Sequence, residues 1–321
     1  MGAPLSHGSF GAAYCIECRR TSMPLAVKVV RVGGASEGAG GPSERHQRRR
    51  DAASNEMDIW RTVGRNEHCV SLLAVFADSA RFMYVMERFE GSLLDRIRAH
   101  QTPRADDSEG MRRLCRDMLL GVRHLHGLRI VHRDVKPSNL FVVANAGGAL
   151  KLGDFGLAAL CEAQLDGCWG TAPFMSPEMA GGQGHGLNTD VWSVGVCMYL
   201  LIYRSYPYGP CGLPAASPKA IRLAVHSGAL EPTFLSQEGL VCPEAMEACV
   251  RSLMARDATS RCSAMAALQL PFLCDERQPA CSPQRPLPTL CMGGAGAGAD
   301  AGAPGHGLSA AGPPPKASAL G

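Results

Sequence analysis

Apolar residues change their spacing along this chain, and that change limits the folds it can adopt. Two short runs rich in β-branched and aromatic residues, Leu25–Val30 and Phe82–Met86, have the composition of strands. Later apolar residues recur at helical spacing, in a stripe formed by Leu114, Met118, Leu119, Val122 and Leu125. From Val191 onward helical patterns dominate. Strands first and helices later predict an α+β protein with two unequal lobes, a small β-rich one and a larger helical one.

Composition limits the classes of function that the chain can serve. Hydrophobic residues make up 46% of its 321 residues, which is enough for a sizeable core. The net charge of +3 gives no reason to expect nucleic-acid binding. The apolar run from Val191 to Ile202 is too short to span a bilayer, and the amino terminus lacks a signal-peptide core. We therefore expect a protein that binds neither nucleic acid nor membrane and lies in the cytoplasm or the nucleus.

The fourteen cysteines are scattered singly along the chain. The one CxxC pair, Cys15 and Cys18, has no second pair at zinc spacing. Packed or solvent-facing thiols in a reducing compartment are therefore favoured over a metal site.

Two segments are of low complexity. Residues 275–321 are rich in Pro, Gly and Ala, which predicts a disordered tail. Within it, Pro283–Pro286 could bind an SH3-type groove or be an accident of composition. Glycines between Gly33 and Gly41 precede an arginine-rich run, Arg45–Arg50. That run is either a nuclear-import or docking patch or, as we favour, part of a solvated loop that continues into a helix.

Polar residues of the types that serve in catalysis and metal binding cluster after the helical stripe. Asn139 and Asp154 are oxygen donors on separate turns, joined through a predicted hairpin of Leu140–Val143 and Leu150–Leu152, and such donors suit Mg²⁺. Asp134 precedes Asn139 on the same turn and could orient a hydroxyl. Lys136 could neutralise charge on a transferring phosphoryl group.

Two further features point to phosphate binding. Lys28 lies in a β-branched strand, an unusual place for a charge unless it meets a phosphate or a carboxylate, and Glu56 can supply the carboxylate. Ser6, Gly8 and Gly11 form a Gly-rich turn that lets backbone N–H groups approach phosphates.

These segments together resemble a eukaryotic protein kinase from about Leu5 to Leu273. They occur in the order and at the spacing of that family. The matching segments are the Gly-rich loop, Ala26–Lys28, His132–Asn139, Asp154–Gly156, Ser176–Glu178 and Asp190–Gly195. The resemblance implies a kinase domain over residues 1–274, with an N-lobe of 1–88 and a C-lobe of 89–274. It further implies that Arg261 pairs with Glu178.

The resemblance also implies a role for each matching residue, with ATP as co-substrate and Mg²⁺ as metal. Lys28 would bind the α- and β-phosphates and be held by Glu56. Asp134 would accept the proton of the substrate hydroxyl beside Lys136. Asn139 and Asp154 would hold the metal. The remaining nucleotide-binding positions, including gatekeeper Met86 and the hinge, are Ser6, Gly8, Phe10, Gly11, Ala13, Ala26, Met86, Glu87, Phe89 and Phe141.

Some of these matches leave alternatives. The insertion before Glu56 makes the helix register hard to set, so Asp58 and Glu44 compete with it. Met86 could be one residue away from the gatekeeper position. His132, Phe155, Trp60 and Leu72 match the stacked internal spine of an active kinase.

The chain departs from the family at its amino-terminal end. Ser6 replaces the first loop glycine and Ala13 replaces a valine over adenine, so we expect weaker ATP affinity. With few residues before the loop, the first strand is expected to be clipped and the chain to be either a fragment or the product of an incomplete gene model. Met1–Ser6 also fits a myristoylation pattern, which we do not favour beside a phosphate-binding loop.

Two features favour serine/threonine over tyrosine specificity: Lys136, and a substrate platform that begins at Gly170–Thr171. The predicted function is phosphoryl transfer from MgATP to Ser/Thr hydroxyls of protein substrates. Some segments resemble calcium/calmodulin-dependent kinases, but the sequence assigns neither a kinase subfamily nor an oligomeric state. The alternatives are a pseudokinase scaffold that binds partners without turnover, and a small-molecule kinase.

Two expectations concern regulation and specificity. Kinases that select an arginine before the phosphorylated residue resemble one another in carrying acidic residues at three positions. The matching residues here are Ser92, Ser138 and Leu200, and none of them can pair with an arginine. Residues 157–170 contain no Ser, Thr or Tyr, so the loop cannot be phosphorylated in the ordinary way. We therefore expect Arg133 to contact a carboxylate, Asp166 or Glu162, instead of a phosphate. The alternative is a mobile loop with Arg133 exposed to solvent.

Overall fold

The computed structural model describes residues 4–8, 11–33, 44–144, 147–208, 217–229, 231–234 and 242–274. The chain divides into two units, residues 1–275 and 276–321, and the second lies wholly outside the described ranges. The predicted tail, the segment Pro283–Pro286 and glycines 34–41 also lie outside them. The first unit has the predicted α+β architecture, with a β-rich amino-terminal part followed by a helical one.

An antiparallel sheet of five strands forms the amino-terminal part, in the order β1-β2-β3-β5-β4. Its strands are β1 (Pro4–Gly8), β2 (Gly11–Glu17), β3 (Pro24–Arg31), β4 (Leu72–Ala77) and β5 (Arg81–Glu87). The two strands predicted from composition are thus confirmed as β3 and β5. They pair from Leu25 opposite Glu87 to Arg31 opposite Arg81. This register places Lys28 at the centre of the sheet, between Ala13 and Tyr84.

Helix α1 (Glu44–Val63) packs its carboxy-terminal half against this sheet. Its buried residues are Ala53, Glu56, Ile59, Trp60 and Val63, whose spacing of three or four places them on one face of the helix. The arginine-rich run Arg45–Arg50 forms its first turns, which are largely exposed. The prediction that this run is exposed to solvent is confirmed, but its assignment to a loop is wrong, because the helix already begins at Glu44.

The helical part begins with α2 (Leu93–Arg98) and α3 (Ser108–Gly127). Ser92 caps α2 through a capping box with Asp95, which satisfies two backbone N–H groups that a helix start leaves unpaired. All five residues of the stripe predicted from helical spacing are buried in α3. The helical prediction for that segment is confirmed.

Five short strands hold the loops that carry the polar residues. They are β6 (Gly91–Ser92), β7 (Ile130–Val131), β8 (Leu140–Val142), β9 (Leu150–Leu152) and β10 (Ala159–Leu160). Strands β8 and β9 pair antiparallel, which confirms the predicted hairpin, and β6 adds to its edge. Strands β7 and β10 form a second small sheet. The segment between β7 and β8, here called the catalytic turn (His132–Asn139), therefore starts and ends at fixed points.

The remaining helices are α4 (Pro177–Ala180), α5 (Asn188–Tyr203), α6 (Pro218–Ser227), α7 (Glu244–Leu253) and α8 (Ala264–Ala267). Every residue of α5 from Thr189 to Tyr203 is buried, so this helix is the centre of the core. None of the described helices combines the length and the hydropathy that crossing a bilayer requires.

A buried ion pair joins two segments of the helical part. Both terminal nitrogens of Arg261 donate to the Glu178 carboxylate, at 2.8 and 3.1 Å, and the pairing expected from the family resemblance is confirmed. The Arg261 side chain is fully buried and also donates to the carbonyls of Asn188 and Ala255. Removing the Arg261 guanidinium would leave the nearly buried Glu178 carboxylate without its cation.

We expect Arg261→Met to destabilise the protein by about 3 kcal/mol or more, because one member of a buried pair then keeps an uncompensated charge. Arg48→Met, which breaks an exposed pair with Glu44 on α1, should cost less than about 1 kcal/mol. Urea unfolding measures both. Similar losses in the two variants would show that the Arg261 pair does not stabilise the fold.

Candidate active site

Three charged side chains meet where the sheet faces the helical part. The Lys28 ammonium lies 2.6 Å from Glu56 Oε1 and 2.6 Å from Asp154 Oδ1. Strand β3 supplies the lysine, α1 the glutamate, and the turn after β9 the aspartate. Asp58 is exposed and Glu44 contacts Arg48, so of the three acidic candidates on α1 it is Glu56 that faces Lys28.

This cluster holds its charges in a buried setting. Burial alone would lower the pKa of Lys28, but the carboxylates of Asp154 and Glu56 raise it above its ordinary value. Burial would raise the pKa of Asp154, yet the Lys28 ammonium keeps it below its ordinary value. The lysine is therefore a fixed cation and the aspartate a fixed anion near neutral pH.

The catalytic turn brings Asp134 together with two partners. Thr171 donates its hydroxyl to Asp134 Oδ1 at 2.8 Å, and Lys136 Nζ lies 2.7 Å from Asp134 Oδ2. Lys136 also donates to the Thr171 hydroxyl at 2.7 Å. Asp134 is buried, so these contacts fix its carboxylate in one orientation. Such an aspartate is suited to accept a proton from a hydroxyl bound beside it.

Asn139 and Asp154 offer oxygen atoms of the kind that Mg²⁺ binds. The Asn139 amide nitrogen donates to the Asp134 carbonyl at 2.9 Å and to Asp134 Oδ2 at 3.3 Å, which leaves its amide oxygen for a cation. Asp154 uses Oδ1 for Lys28, and its second oxygen has no hydrogen-bond partner among the described residues. The donor set of these two side chains therefore fits a magnesium ion.

A buried carboxylate anchors the start of the catalytic turn. Asp190, at the amino-terminal end of α5, accepts the backbone N–H groups of His132 and Arg133 at 2.8 and 2.9 Å. His126 Nε2 lies 3.1 Å from the same carboxylate. Arg133 has a φ of 65°, a left-handed conformation that costs energy for a residue with a side chain. The two bonds to Asp190 stabilise that conformation.

The residues expected around an adenine ring lie on facing elements. Ala26 pairs with Met86 across β3 and β5, and both are buried. Phe141, on β8, lies 5.3 Å from Phe89 between ring centroids. Ala13 is half-buried on β2.

At the end of β5, the Glu87 carboxylate is bound by Lys151 at 2.8 Å and accepts the Ser71 backbone N–H. The ion pair with Lys151 was missed by the sequence analysis, because the two residues are far apart in the chain. The backbone N–H of Phe89 has no hydrogen-bond partner within the described ranges, so it is free to donate to a ring nitrogen of adenine.

The Gly-rich turn is described only in part. Ser6 and Gly8 lie in β1, where Ser6 pairs with Ala13 and Gly8 with Gly11 at the start of β2. The Ser6 position is thus in a strand. Phe10 lies outside the described residues.

Three of the four predicted spine residues stack on one another. The Phe155 ring is 5.6 Å from both the Trp60 ring and the His132 ring, measured between centroids. Leu72 is half-buried against the same core. Trp60 is held by a 2.7 Å hydrogen bond from its indole nitrogen to the Val70 carbonyl. This stack connects α1, which carries Glu56, to the catalytic turn.

The predicted carboxylate contact of Arg133 requires correction. Within the described residues, neither Glu162 nor Asp166 forms an ion pair with Arg133. Its Nε donates to the Leu157 carbonyl at 2.7 Å, and its guanidinium lies over the Trp169 ring, 5.0 Å from the centroid. Sequence reasoning looked for a charge partner and did not consider an aromatic face, although Trp169 directly precedes the platform.

Comparison with known proteins agrees with this geometry. The family model described as the protein kinase domain matches residues 2–273. The chain belongs to the protein kinase family. The chain is 31% identical over 218 residues to the serine/threonine-protein kinase DCLK1 of Rattus norvegicus, covering 67% of this chain and 45% of that protein. It is 32% identical over 218 residues to CBL-interacting protein kinase 20 of Oryza sativa subsp. japonica, covering 65% and 45%.

A further relative of this kinase is the serine/threonine-protein kinase DCLK2 of Homo sapiens. It is 36% identical over 163 residues, which cover 50% of this chain and 20% of the relative. The kinase therefore spans less than half the length of these curated relatives. Its membership of the serine/threonine type and its bilobal α+β fold agree with the sequence analysis.

We expect Lys28→Met to destabilise this protein in a pH-dependent way. Glu56 would keep its place with no ammonium beside it, and burial would raise its pKa above the value in the unfolded chain. An acid whose pKa is raised on folding destabilises the protein above that pKa, and the cost disappears as pH falls through it. The loss should be about 3 kcal/mol at pH 8 and smaller at pH 5.

Urea unfolding at both pH values measures this effect. Adding Glu56→Gln to the Lys28→Met variant should reduce the difference between the two pH values to the part that comes from Asp154, whereas adding Asp58→Asn, an exposed change on the same helix, should not reduce it. An equal loss at pH 5 and pH 8 would contradict the ion-pair account.

Proposed function

We propose that this protein is a serine/threonine kinase that transfers the γ-phosphoryl group of MgATP to Ser or Thr hydroxyls of protein substrates. The observation that carries the proposal is the Asp134 carboxylate held by Thr171 and Lys136 in the same structure as the Lys28–Glu56 ion pair. Phosphoryl transfer needs both a positioned hydroxyl and a positioned phosphate. Family membership and relatives named as serine/threonine-protein kinases support the same activity.

Each residue of the site has a part in this reaction. Lys28, fixed by Glu56, would bind the α- and β-phosphates of ATP. Asp134 would orient the substrate hydroxyl and accept its proton, while Lys136 would stabilise the negative charge of the transferring group. The hydroxyl oxygen forms the new bond to phosphorus, and ADP leaves with the electrons of the broken bond.

Magnesium would be held by the Asn139 amide oxygen and the Asp154 carboxylate. When bound, it neutralises phosphate charge and supports the leaving group. The Asn139 amide nitrogen is bonded to Asp134, so it would fix the distance between the bound metal and the carboxylate that receives the substrate hydroxyl. A change at Asn139 should therefore disturb both.

The proposal includes activity without phosphorylation of the activation loop. Residues 157–170 offer no hydroxyl group for modification, and Thr171 is already bonded to Asp134 and Lys136. The Lys28–Glu56 pair and the Trp60–Phe155–His132 stack, both typical of an assembled kinase, are formed by contacts among the chain's own side chains. The energy that loop phosphorylation supplies in other kinases would here come from contacts within the chain.

Protein purified from a bacterial host and treated with phosphatase should phosphorylate a generic protein substrate at full rate. Asp134→Asn should lower the turnover number at least about a hundredfold, the usual contribution of a positioned base. The exposed change Asp106→Asn is the matched control and should have no effect. Activity that appears only after treatment with another kinase would contradict loop independence.

Absence of turnover in the wild type under all conditions, with binding of MgATP retained, would favour the pseudokinase alternative. Transfer to small molecules but not to protein would favour the third possibility. The Asp134→Asn variant distinguishes both from a contaminating kinase, because only activity that depends on Asp134 belongs to this chain.

Substrate choice should not depend on a basic residue before the acceptor. Ser92 caps α2, Leu200 is buried in α5, and the nearby Asp95 carboxylate is bonded to Ser92. Glu90 pairs with Arg96 at 3.0 Å. These surroundings leave little free negative charge to bind a substrate arginine.

An arrayed peptide library measures this preference. We expect less than about threefold selection for Arg two or three positions before the acceptor, since a free charge-assisted bond would give tenfold or more. Tenfold or stronger selection for Arg at either of these positions would contradict the prediction. As the matched test, Ser92→Glu should introduce such a preference if the position is equivalent.

A further inference from the structure

Arg133 carries a charge that needs a partner, and the partner in this chain is unusual. Burial lowers the pKa of its guanidinium, the sign of a cation removed from water. Its backbone N–H is bonded to Asp190, but its side chain forms no ion pair with any described carboxylate. Its Nε donates to the Leu157 carbonyl at 2.7 Å, and the face of Trp169 lies over the guanidinium, with the guanidinium carbon 5.0 Å from the ring centroid.

The Trp169 ring is fixed even though 42% of the residue is exposed. Its indole N–H donates to the Asp166 carbonyl at 3.0 Å, so the ring folds back over its own loop. Gly167 makes this possible: its φ is 93°, and a Cβ there would lie 2.8 Å from the indole nitrogen. A large apolar side chain exposed to this extent gains little from burial, and the hydrogen bond to Asp166 together with the contact with Arg133 sets its orientation.

From Trp169 the chain leads directly to the catalytic base. The next residue, Gly170, has a φ of 94°, and a Cβ there would lie 2.3 Å from the Arg133 carbonyl oxygen. Thr171 then bonds Asp134 at 2.8 Å. Three consecutive residues of the loop thus contact the side chain of Arg133, its carbonyl and the carboxylate of its neighbour.

We propose that Trp169 is a positioning residue that holds Arg133, and through it Asp134 and Thr171, in the place where a loop phosphate would otherwise act. The inference rests on the proposed kinase activity and deepens it. An aromatic face attracts a cation without carrying a charge of its own, so no modification is needed to create the contact. Trp169 itself does not touch the reacting atoms in this account.

The test compares variants of the full chain, expressed in bacteria and treated with phosphatase. Trp169→Leu keeps an apolar side chain but removes the aromatic face, and should lower the turnover number about five- to tenfold, the size of a partly desolvated cation–π contact. Trp169→Phe keeps a face over the guanidinium and should retain activity within about twofold. Leu160→Ser, at an exposed apolar residue of the same loop, is the control and should change nothing.

The Michaelis constants separate positioning from substrate contact. We expect the KM for ATP and for a peptide to stay within about twofold in Trp169→Leu, since only the transition-state geometry is disturbed. A raised KM for peptide with an unchanged turnover number would overturn the proposal and indicate that the ring binds substrate. Melting temperatures show whether a variant is folded, and a loss shared equally by Trp169→Phe and Trp169→Leu would also overturn it.

A double-mutant cycle with Arg133→Met tests the pair directly. If Trp169 acts through Arg133, the double variant should be no slower than the slower single variant, because the contact can be lost only once. Independent, multiplicative losses would contradict the proposal. A wild type without turnover would instead refute the proposed kinase activity, so the two failures are distinguishable.

Discussion

The buried carboxylate of Asp190 is the interaction on which the active site depends. It has no exposure to solvent, and it accepts the backbone N–H groups of His132 and Arg133. Burial would raise the pKa of Asp190, but its interactions with His126 and His132 keep the pKa below its ordinary value. Because α5 is buried from Thr189 to Tyr203, this anion is fixed in the core, and the catalytic turn is held to that fixed point.

Two routes lead from this anchor to the reacting groups. The His132 ring contacts Phe155 and, beyond it, Trp60, on the helix that also carries Glu56. The Arg133 side chain contacts Trp169, which precedes the platform bonded to the catalytic base. The side chains of Lys28 and Asp134 are thus both positioned from neighbouring residues of one turn. This arrangement supports the proposal that the site assembles without a charged modification on the loop.

Much of this could be predicted from sequence where a local period decides the structure. Composition and periodicity gave β3, β5 and α3 because strand and helix leave different patterns. The register of Glu56 could not be set after the inserted residues, and only the packing of Ile59 and Trp60 on the same helix face decides it. The partner of Arg133 was missed because an exposed tryptophan carries no signal of its long-range contact.

Hydrogen exchange on protein shown by mass spectrometry to carry no phosphate tests the central claim most directly. The account predicts that amides in segments 130–139 and 157–171 exchange slowly, with protection comparable to that of α3, because the turn and the loop are ordered by Asp190 and Trp169. Asp190→Asn should remove the protection of both segments. Exchange within seconds in the phosphate-free wild type, with protection only after phosphate is incorporated, would contradict the account.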